Sequence, residues 1–272
     1  MEEKDDEMLF GDEADLVIAQ RAANLEKLKD ILIKSIEKKK EATMSKPLHL
    51  GIKGIENLIT TNIRQGSIIC LNGSTGSGMT IFALKFLHHG IVHEHENGIY
   101  ISFDETKQSI LATAKVFGMD FQKYEQEKKF LFIEYPYNEI PQFADKDSVI
   151  GDFIRSLNIK RLVIDPITPL TLGYDNELQK RKNLKNLFER LKSWGCNTLL
   201  LAEDIPQENI GKDIIVKLSD GLIQFNFKKI KGTKVRTIEI PKMRGTEHTY
   251  NTHEFIINKK EGIEILKKKI ID

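Results

Sequence analysis

The sequence is poor in cysteine and tryptophan, and it carries almost no net charge. Its two cysteines, Cys70 and Cys196, are too few for a disulfide framework, which argues against a small cross-linked secreted protein. The 41 basic and 40 acidic side chains leave a formal charge of +1, so the basic excess of a nucleic-acid coat protein is missing. With 272 residues, 40% of them hydrophobic, the chain is long enough to bury a full core.

The sequence also lacks an apolar run that would span a membrane, and it lacks the start of a secretory leader. Residues 65–84 carry no charged side chain, but four glycines and several polar residues interrupt them. The chain begins Met-Glu-Glu-Lys-Asp-Asp-Glu, whereas a signal peptide begins with basic residues. We therefore expect a cytoplasmic protein without a membrane span.

Three regions of different composition predict the domain organisation. Residues 1–15 contain eight acidic side chains and one lysine, which predicts a disordered acidic tail. In residues 16–46, apolar residues recur every three or four positions, which predicts an amphipathic helical extension. Its apolar stripe either packs on the chain's own domain, which we favour, or docks on a partner. Residues 47–272 are expected to form one larger domain.

Within this larger domain, short β-rich runs alternate with helix-length segments, a pattern typical of a parallel sheet flanked by helices. The predicted strands of this kind are 67–71, 98–103, 130–135, 161–165 and 198–202. The predicted helices are 80–89, 107–117, 148–157 and 176–194. After residue 220, four strand-like segments follow one another with only turns between them: 222–227, 235–240, 254–257 and 263–266. We expect an α/β fold in which C-terminal antiparallel strands extend a mainly parallel sheet.

A glycine-rich segment lies between the first predicted strand and the first predicted helix. In this position glycines let backbone N–H groups turn inward, and the helix N-terminus adds positive potential. The segment therefore predicts a phosphate-binding loop of the GxxxxGK[ST] type. Its predicted nucleotide-binding residues are Gly73, Ser74, Thr75, Gly76, Ser77, Gly78, Met79 and Thr80. The hydroxyl of Thr80 is also the predicted ligand of Mg²⁺.

The loop departs from its type at Met79, where the pattern has a lysine. That lysine brings positive charge to the β- and γ-phosphates, and a thioether brings none. The loss of one charge-assisted contact corresponds to about 1.5–3 kcal/mol of binding free energy. Hydrolysis is expected to lose more, because charge develops during phosphoryl transfer. The sequence therefore predicts nucleotide binding with weak or absent turnover.

Carboxylates stand at the ends of two predicted strands. Asp165 ends the run 161–165 and would hold Mg²⁺ at the carboxyl edge of the sheet, where open α/β folds bind ligands. Asp104 and Glu105 follow the run 98–103 at the same edge, where either can orient or deprotonate an attacking water. The alternative role for Asp104 and Glu105 is to stabilise the N-terminus of the following helix.

Several motifs together resemble the KaiC-like branch of the RecA-superfamily ATPases over residues 48–266. The matching segments are 51–55, 73–80 with 81–86 after it, 102–105, 114–118, 163–165, 219–223, and 242–246 with His248. The resemblance implies a RecA-type core, ATP as ligand, and rings, typically hexamers, with nucleotide at the subunit interface. It also implies that Lys242 and Arg244 reach the nucleotide of the neighbouring subunit. Asp104 replaces the first glutamate of the family's catalytic pair, which Glu105 completes.

These observations predict an ATP-binding KaiC-like protein that forms a homo-oligomeric ring, with Mg²⁺ at the nucleotide and weak or absent hydrolysis. The alternative is a non-enzymatic pseudo-ATPase scaffold or regulator that engages a protein partner through its N-terminal helix. A DNA-binding recombinase paralogue is disfavoured, because the net charge is nearly zero and no separate DNA-binding module is recognisable.

Four histidines, His88, His89, His93 and His95, lie close together near the end of the helix predicted at 80–89. His89 and His93 have the spacing of metal ligands on one helical face. A solvated helix end is the interpretation that we favour over a metal site.

Overall fold

A computed structural model gives the fold for residue 29 and for residues 47–136, 143, 149–171, 176–203 and 210–270. The chain divides into two units, Met1–Lys46 and Pro47–Asp272. In the first unit only Lys29, which is helical, is described. The predicted acidic tail and the remainder of the predicted N-terminal helix lie outside the described residues.

A nine-stranded sheet forms the centre of the second unit. Its strands are β1 (Ile68–Gly73), β2 (Asn97–Ser102), β3 (Phe130–Glu134), β4 (Ile159–Asp165), β5 (Asn197–Glu203), β6 (Gly221–Ile230), β7 (Thr233–Met243), β8 (His253–Asn258) and β9 (Gly262–Lys269). Their order across the sheet is β3-β2-β4-β5-β1-β6-β7-β8-β9. Neighbours from β3 to β6 are parallel, and neighbours from β6 to β9 are antiparallel. The predicted fold class is confirmed.

Helices cover both faces of the sheet. They are α1 (Met79–His89), α2 (Lys107–Val116), α3 (Phe121–Gln126), α4 (Val149–Ser156), α5 (Glu177–Trp194) and α6 (Ile210–Leu218), and a π-helical turn, Gly90–Glu94, continues α1. Successive side chains of a strand point to opposite faces. Thus Leu71 of β1 packs in one core with Phe82 of α1, while Cys70 packs in the other core with Leu187 of α5.

Local capping explains where several helices begin and end. The side chain of Thr106 accepts a hydrogen bond from the amide of Ser109 at the start of α2. Asn176 caps α5 in the same way, and Gly195, with a φ of 68°, ends it in the left-handed conformation. The predicted helices 107–117 and 176–194 therefore correspond to α2 and α5 with their capping residues.

The topology brings the ends of four parallel strands to one edge of the sheet. Gly73 at the end of β1 pairs with Glu203 at the end of β5, and Ser102 at the end of β2 pairs with Asp165 at the end of β4. Loops that follow these strands consequently surround a common cleft. In the described part of the chain, no helix combines the length and apolar character needed to cross a membrane.

Candidate functional site

The glycine-rich segment forms the predicted turn between β1 and α1. Gly76 and Gly78 have φ values of 79° and 109°, in the left-handed region that glycine adopts without strain. Gly78 is the N-cap of α1 and supplies no side chain, and the amide of Phe82 bonds to its carbonyl. The amides of the first turn are thus left for a ligand, as an anion-binding helix N-terminus requires.

Strands β6 and β8 pack closely against this loop. A Cβ atom added at Gly73 would lie 2.8 Å from the Cβ atom and the carbonyl oxygen of Phe225 on β6. One added at Gly78 would lie 3.1 Å from Cδ1 of Ile257 on β8. The antiparallel strands therefore form one side of the loop, and any side chain at these two glycines would push the loop away from them.

Met79 lies at the boundary between this loop and the core. Its side chain is 7% exposed and belongs to the core that contains Phe82 and Phe225. It also lines the cleft above the loop. The loop is therefore held by apolar contacts at the position where its type has a cation.

The cleft has a volume of about 600 Å³ and contains the acidic residues that the sequence singled out. Besides the loop residues from Ser74 to Ile81, its lining includes Asp104, Glu105, Asp165, Glu203 and Arg236. Of the eight predicted loop residues, all but Gly73 line this cleft directly. Glu203 was not predicted as a site residue. The available signal was its position directly after the predicted strand 198–202, at the edge of the sheet that also carries the loop.

Asp165 lies in the cleft among other carboxylates. Burial raises its pKa to about 6 from an ordinary 3.8, and the carboxylates of Glu105 and Glu203 add to this shift. The hydroxyl of the fully buried Tyr100 donates a hydrogen bond to Asp165, which acts in the opposite direction. A divalent cation would relieve this crowding of negative charge, and the oxygens of Asp165 and Thr80 are the ligand type that Mg²⁺ prefers.

Glu105 and Asp104 lie beside Asp165, but neither is the cap of α2. Thr106 is the N-cap, so the capping role considered for Asp104 and Glu105 belongs to the next residue. Glu105 still contacts the first turn, because its Oε2 accepts a hydrogen bond from Oγ of Ser109 at 2.8 Å. A catalytic role for Glu105 would require this carboxylate to exchange Ser109 for a water molecule.

Lys242 and Arg244 lie away from the cleft of their own chain. Nζ of Lys242 donates to the carbonyls of Val216 and Ser219 at 2.6 and 2.7 Å. Arg244 donates to the carbonyl of Lys217 at 2.8 Å. Both cations thus bind carbonyls at the C-terminal end of α6, where positive charge stabilises a helix.

Arg236 of β7 is a cleft residue that the sequence analysis missed. Its Nε and Nη2 atoms each lie 3.3 Å from the carbonyl oxygen of Gly76. The guanidinium carbon is 5.6 Å from the ring centre of Phe227, while Nζ of the adjacent Lys234 is 4.1 Å from it. Nothing in the sequence distinguishes Arg236 from the other basic residues of the C-terminal strands.

Comparison with known proteins identifies the family to which this architecture belongs. The family described as "ATPase: KaiC" matches residues 48–270. The circadian clock protein KaiC2 of Synechocystis is 29% identical over 224 residues, which cover 79% of this chain and 39% of that protein. A UPF0273 protein of Pyrococcus furiosus is 26% identical over 243 residues, which cover 84% of this chain and 97% of that protein.

A solved structure agrees with these relatives. The crystal structure of a KaiC-like protein from the archaeon Pyrococcus horikoshii superposes with a TM-score of 0.72 at 28% identity, covering 81% of this chain and 99% of that one. The chain spans less than half the length of the Synechocystis clock protein but almost the whole of the two Pyrococcus proteins. The family match, the fold and the loop together show that this chain belongs to the KaiC family of RecA-superfamily ATPases.

Proposed function

We propose that this protein binds ATP with Mg²⁺ in the cleft and assembles into a ring. In this ring the nucleotide lies between subunits and is hydrolysed weakly or not at all. The observation that carries the proposal is the charge of the cleft. Among the described lining residues, Arg236 is the one Lys or Arg, and it faces the carboxylates of Asp104, Glu105, Asp165 and Glu203. Such a cleft needs added cations before it can hold a polyanion.

Each part of the cleft has a distinct role in this proposal. The backbone amides from Gly73 to Thr80 hold the phosphates, as in other loops of this type. Thr80 and Asp165 hold Mg²⁺, which would supply positive charge to the β- and γ-phosphates. Glu105 or Asp104 orients water for the slow hydrolysis that remains.

Lys242 and Arg244 are proposed to supply the remaining charge from the neighbouring subunit. In the single chain they bind carbonyls at the end of α6 and are partly exposed, so their side chains can exchange these carbonyls for a ligand across an interface. A protomer that lacks the loop lysine then depends on its neighbour for positive charge. This dependence links nucleotide binding to assembly more tightly than a lysine within the loop would.

The second candidate function is a pseudo-ATPase scaffold, in which bound nucleotide sets the geometry of the ring and is not turned over. Two observations favour it. Met79 is packed into the core and brings no charge to the phosphates, and the carboxylate of Glu105 is bound to Ser109. Engagement of a protein partner through residues 16–46 belongs to this second proposal.

Measurement of mass and binding with the nucleotide-free protein tests the proposal. We expect calorimetry to show Mg·ATP binding at micromolar or weaker affinity. Light scattering should show that the molar mass rises to an integer multiple of the protomer mass. Absence of both heat and thermal stabilisation at millimolar ATP would exclude the nucleotide site. Binding without a change in mass would exclude the ring. Formation of ADP from ATP by the assembled ring would indicate slow hydrolysis, and its absence would indicate the scaffold.

A further inference from the structure

A group of side chains of the types that ligate metals lies at the far end of α1 from the phosphate loop. His49, His89 and Glu94 form it, and their ligand atoms all lie within 4.8 Å of one another. Nδ1 of His49 is 2.9 Å from Oε1 of Glu94, and Nε2 of His89 is 3.5 Å from the same oxygen. None of the three lines the nucleotide cleft, and the length of α1 separates the two sites by roughly 15 Å.

The backbone at the end of α1 explains why His89 and Glu94 meet. In an α-helix, residues five apart point about 140° away from each other. After His89, however, Gly90–Glu94 form a π-helical turn, in which hydrogen bonds join residues five apart and bring them to the same side. The amide of Glu96 bonds back to the carbonyl of Gly90 and closes the turn. Turns of this kind frequently occur at functional sites.

The third side chain comes from a separate segment that packs on the helix. Leu48 forms a bridge with Ile63 and fixes the segment in which His49 lies. Gly51 has a φ of 73°, and a Cβ atom placed there would lie 2.2 Å from Cβ of His89. This close approach brings His49 over the end of α1. The arrangement of the three side chains thus depends on the packing of two segments that are distant in sequence.

One ring nitrogen of this group lacks a hydrogen bond within the part of the chain that the structure describes. The Glu94 side chain is only 9% exposed, and Nε2 of His89 is buried without a hydrogen-bond partner among the described residues. The nearby guanidinium of Arg161 is bound to Glu96 at 2.6 Å and to the carbonyl of His49 at 3.0 Å. A buried ring nitrogen without a hydrogen bond destabilises a fold unless a ligand satisfies it.

The geometry points to a Zn²⁺ site in which His49, His89 and Glu94 are the protein ligands. Two imidazole nitrogens and one carboxylate oxygen are a donor set that zinc binds, with water at the fourth position. Zinc–ligand distances place the ligand atoms of a tetrahedral site roughly 3.3–3.6 Å apart. The observed 2.9 and 3.5 Å are close to this spacing, and the third pair lies within 4.8 Å, so rotation of the side chains would complete the site.

Solvent reaches the three ligands through a neighbouring cavity. A cavity of about 530 Å³ is lined by all three, and it gives an ion a path from solvent. The ring of His93 packs 4.9 Å from the ring of His89, centre to centre, so the pair considered from sequence makes a ring contact. An ion held by the three ligands would join the segment of His49 to the end of α1, which should raise thermal stability.

Zinc titration of protein without a histidine tag tests this inference. We expect calorimetry to show one Zn²⁺ per chain, Co²⁺ to give the visible absorption of a tetrahedral complex that Zn²⁺ displaces, and Zn²⁺ to raise the melting temperature. His49→Gln and Glu94→Gln should each weaken binding by at least the roughly 10–100-fold that loss of an outer-shell partner costs at zinc sites. His49 is 53% exposed, so its replacement leaves the core packing intact.

His95→Asn is the matched control. It removes a neighbouring exposed histidine, and asparagine tolerates the left-handed φ of 57° at this position. Zinc affinity should be unchanged in this variant, while circular dichroism should show all three variants folded. No binding to the wild type, equal binding in the His49 and Glu94 variants, or an equal loss in the His95 variant would each overturn the assignment.

Discussion

Met79 is buried beneath the phosphate loop, yet its side chain also reaches the cleft. A lysine at this position would keep most of the apolar contacts through its stem and place its ammonium in the cleft. For Met79→Lys we expect ATP binding to tighten by about 1.5–3 kcal/mol and hydrolysis to rise by at least roughly tenfold, because charge grows in the transition state. Calorimetry and phosphate release measure the two effects.

Met79→Leu provides the comparison, since it changes the packing without adding charge. Glu105→Gln in the lysine background should abolish the gain in hydrolysis. Tighter binding with turnover at background would favour the scaffold over the slow enzyme. If the lysine improves neither quantity, the loop does not hold a triphosphate in the proposed way.

Arg236 contacts the loop through the carbonyl oxygen of Gly76. Arg236→Gln should weaken Mg·ATP binding by about 1.5–3 kcal/mol, the range for a hydrogen bond to a charged group. Lys234→Gln is a matched control, because Lys234 lies on the same strand and stacks on the same ring of Phe227 but does not line the cleft. Equal affinities of the two variants in calorimetry would show that Arg236 only supports the loop.

Asp165 should make the nucleotide-free protein less stable as the pH rises. Its pKa in the fold is about 6, compared with an ordinary 3.8, so the folded state retains a proton that the unfolded state has lost between these values. Stability from this group is therefore present below about pH 4 and lost as the pH rises through about 6. Asp165→Asn should remove this dependence while weakening Mg·ATP binding.

Denaturant unfolding at several pH values checks this expectation. The free energy of unfolding of Asp165→Asn, minus that of the wild type, should increase from pH 4 to pH 7 in the absence of Mg²⁺. A difference that stays constant over this range would mean that Asp165 is not crowded by the other carboxylates of the cleft.

At the scale of secondary structure, the strands were the most predictable elements. The nine predicted runs correspond to β1 through β9, because buried parallel strands are rich in aliphatic residues and the later strands follow one another with short turns. The helices α3 and α6 were missed. Helix α3 spans only 6 residues, too few for helical periodicity to be distinct. Helix α6 spans 9 and contains the β-branched run Ile214-Ile215-Val216, a composition typical of strands.

The site was less predictable than the sheet that carries it. The ends of predicted strands located Asp104, Glu105 and Asp165, because parallel strands of one sheet share an edge. Arg236 could not be located in this way, since its approach to Gly76 depends on how the antiparallel strands lie beside the loop. The meeting of His89 with Glu94 depends on a π-helical turn, which sequence periodicity does not reveal.

Lys242 should stabilise α6 in the isolated chain. Its ammonium donates to three carbonyls at this helix end, at 2.6, 2.7 and 3.3 Å, whereas Arg244 donates to one at 2.8 Å. Lys242→Gln should lower the free energy of unfolding by about 1–3 kcal/mol, since the bonds are charge-assisted and lie at a helix C-terminus. Arg244→Gln should have a smaller effect in denaturant unfolding, and the reverse order would contradict the capping role.

At the scale of the whole molecule, the same two residues test the ring. Replacing both Lys242 and Arg244 with glutamate should weaken ATP-dependent assembly, because negative charge would then face the phosphates of the neighbour. Light scattering with and without Mg·ATP measures this, at a temperature well below the melting point of the variant. Unchanged assembly and unchanged ATP affinity would limit both residues to their role at α6.

The burial of Met79 has a consequence for how this fold tolerates change. Because aliphatic and aromatic neighbours hold the residue, the shape of the turn is maintained by the same forces that maintain the core. A neutral side chain at this position therefore leaves the architecture intact while altering the chemistry. Selection for a stable chain therefore does not by itself decide between a neutral and a charged residue at this position.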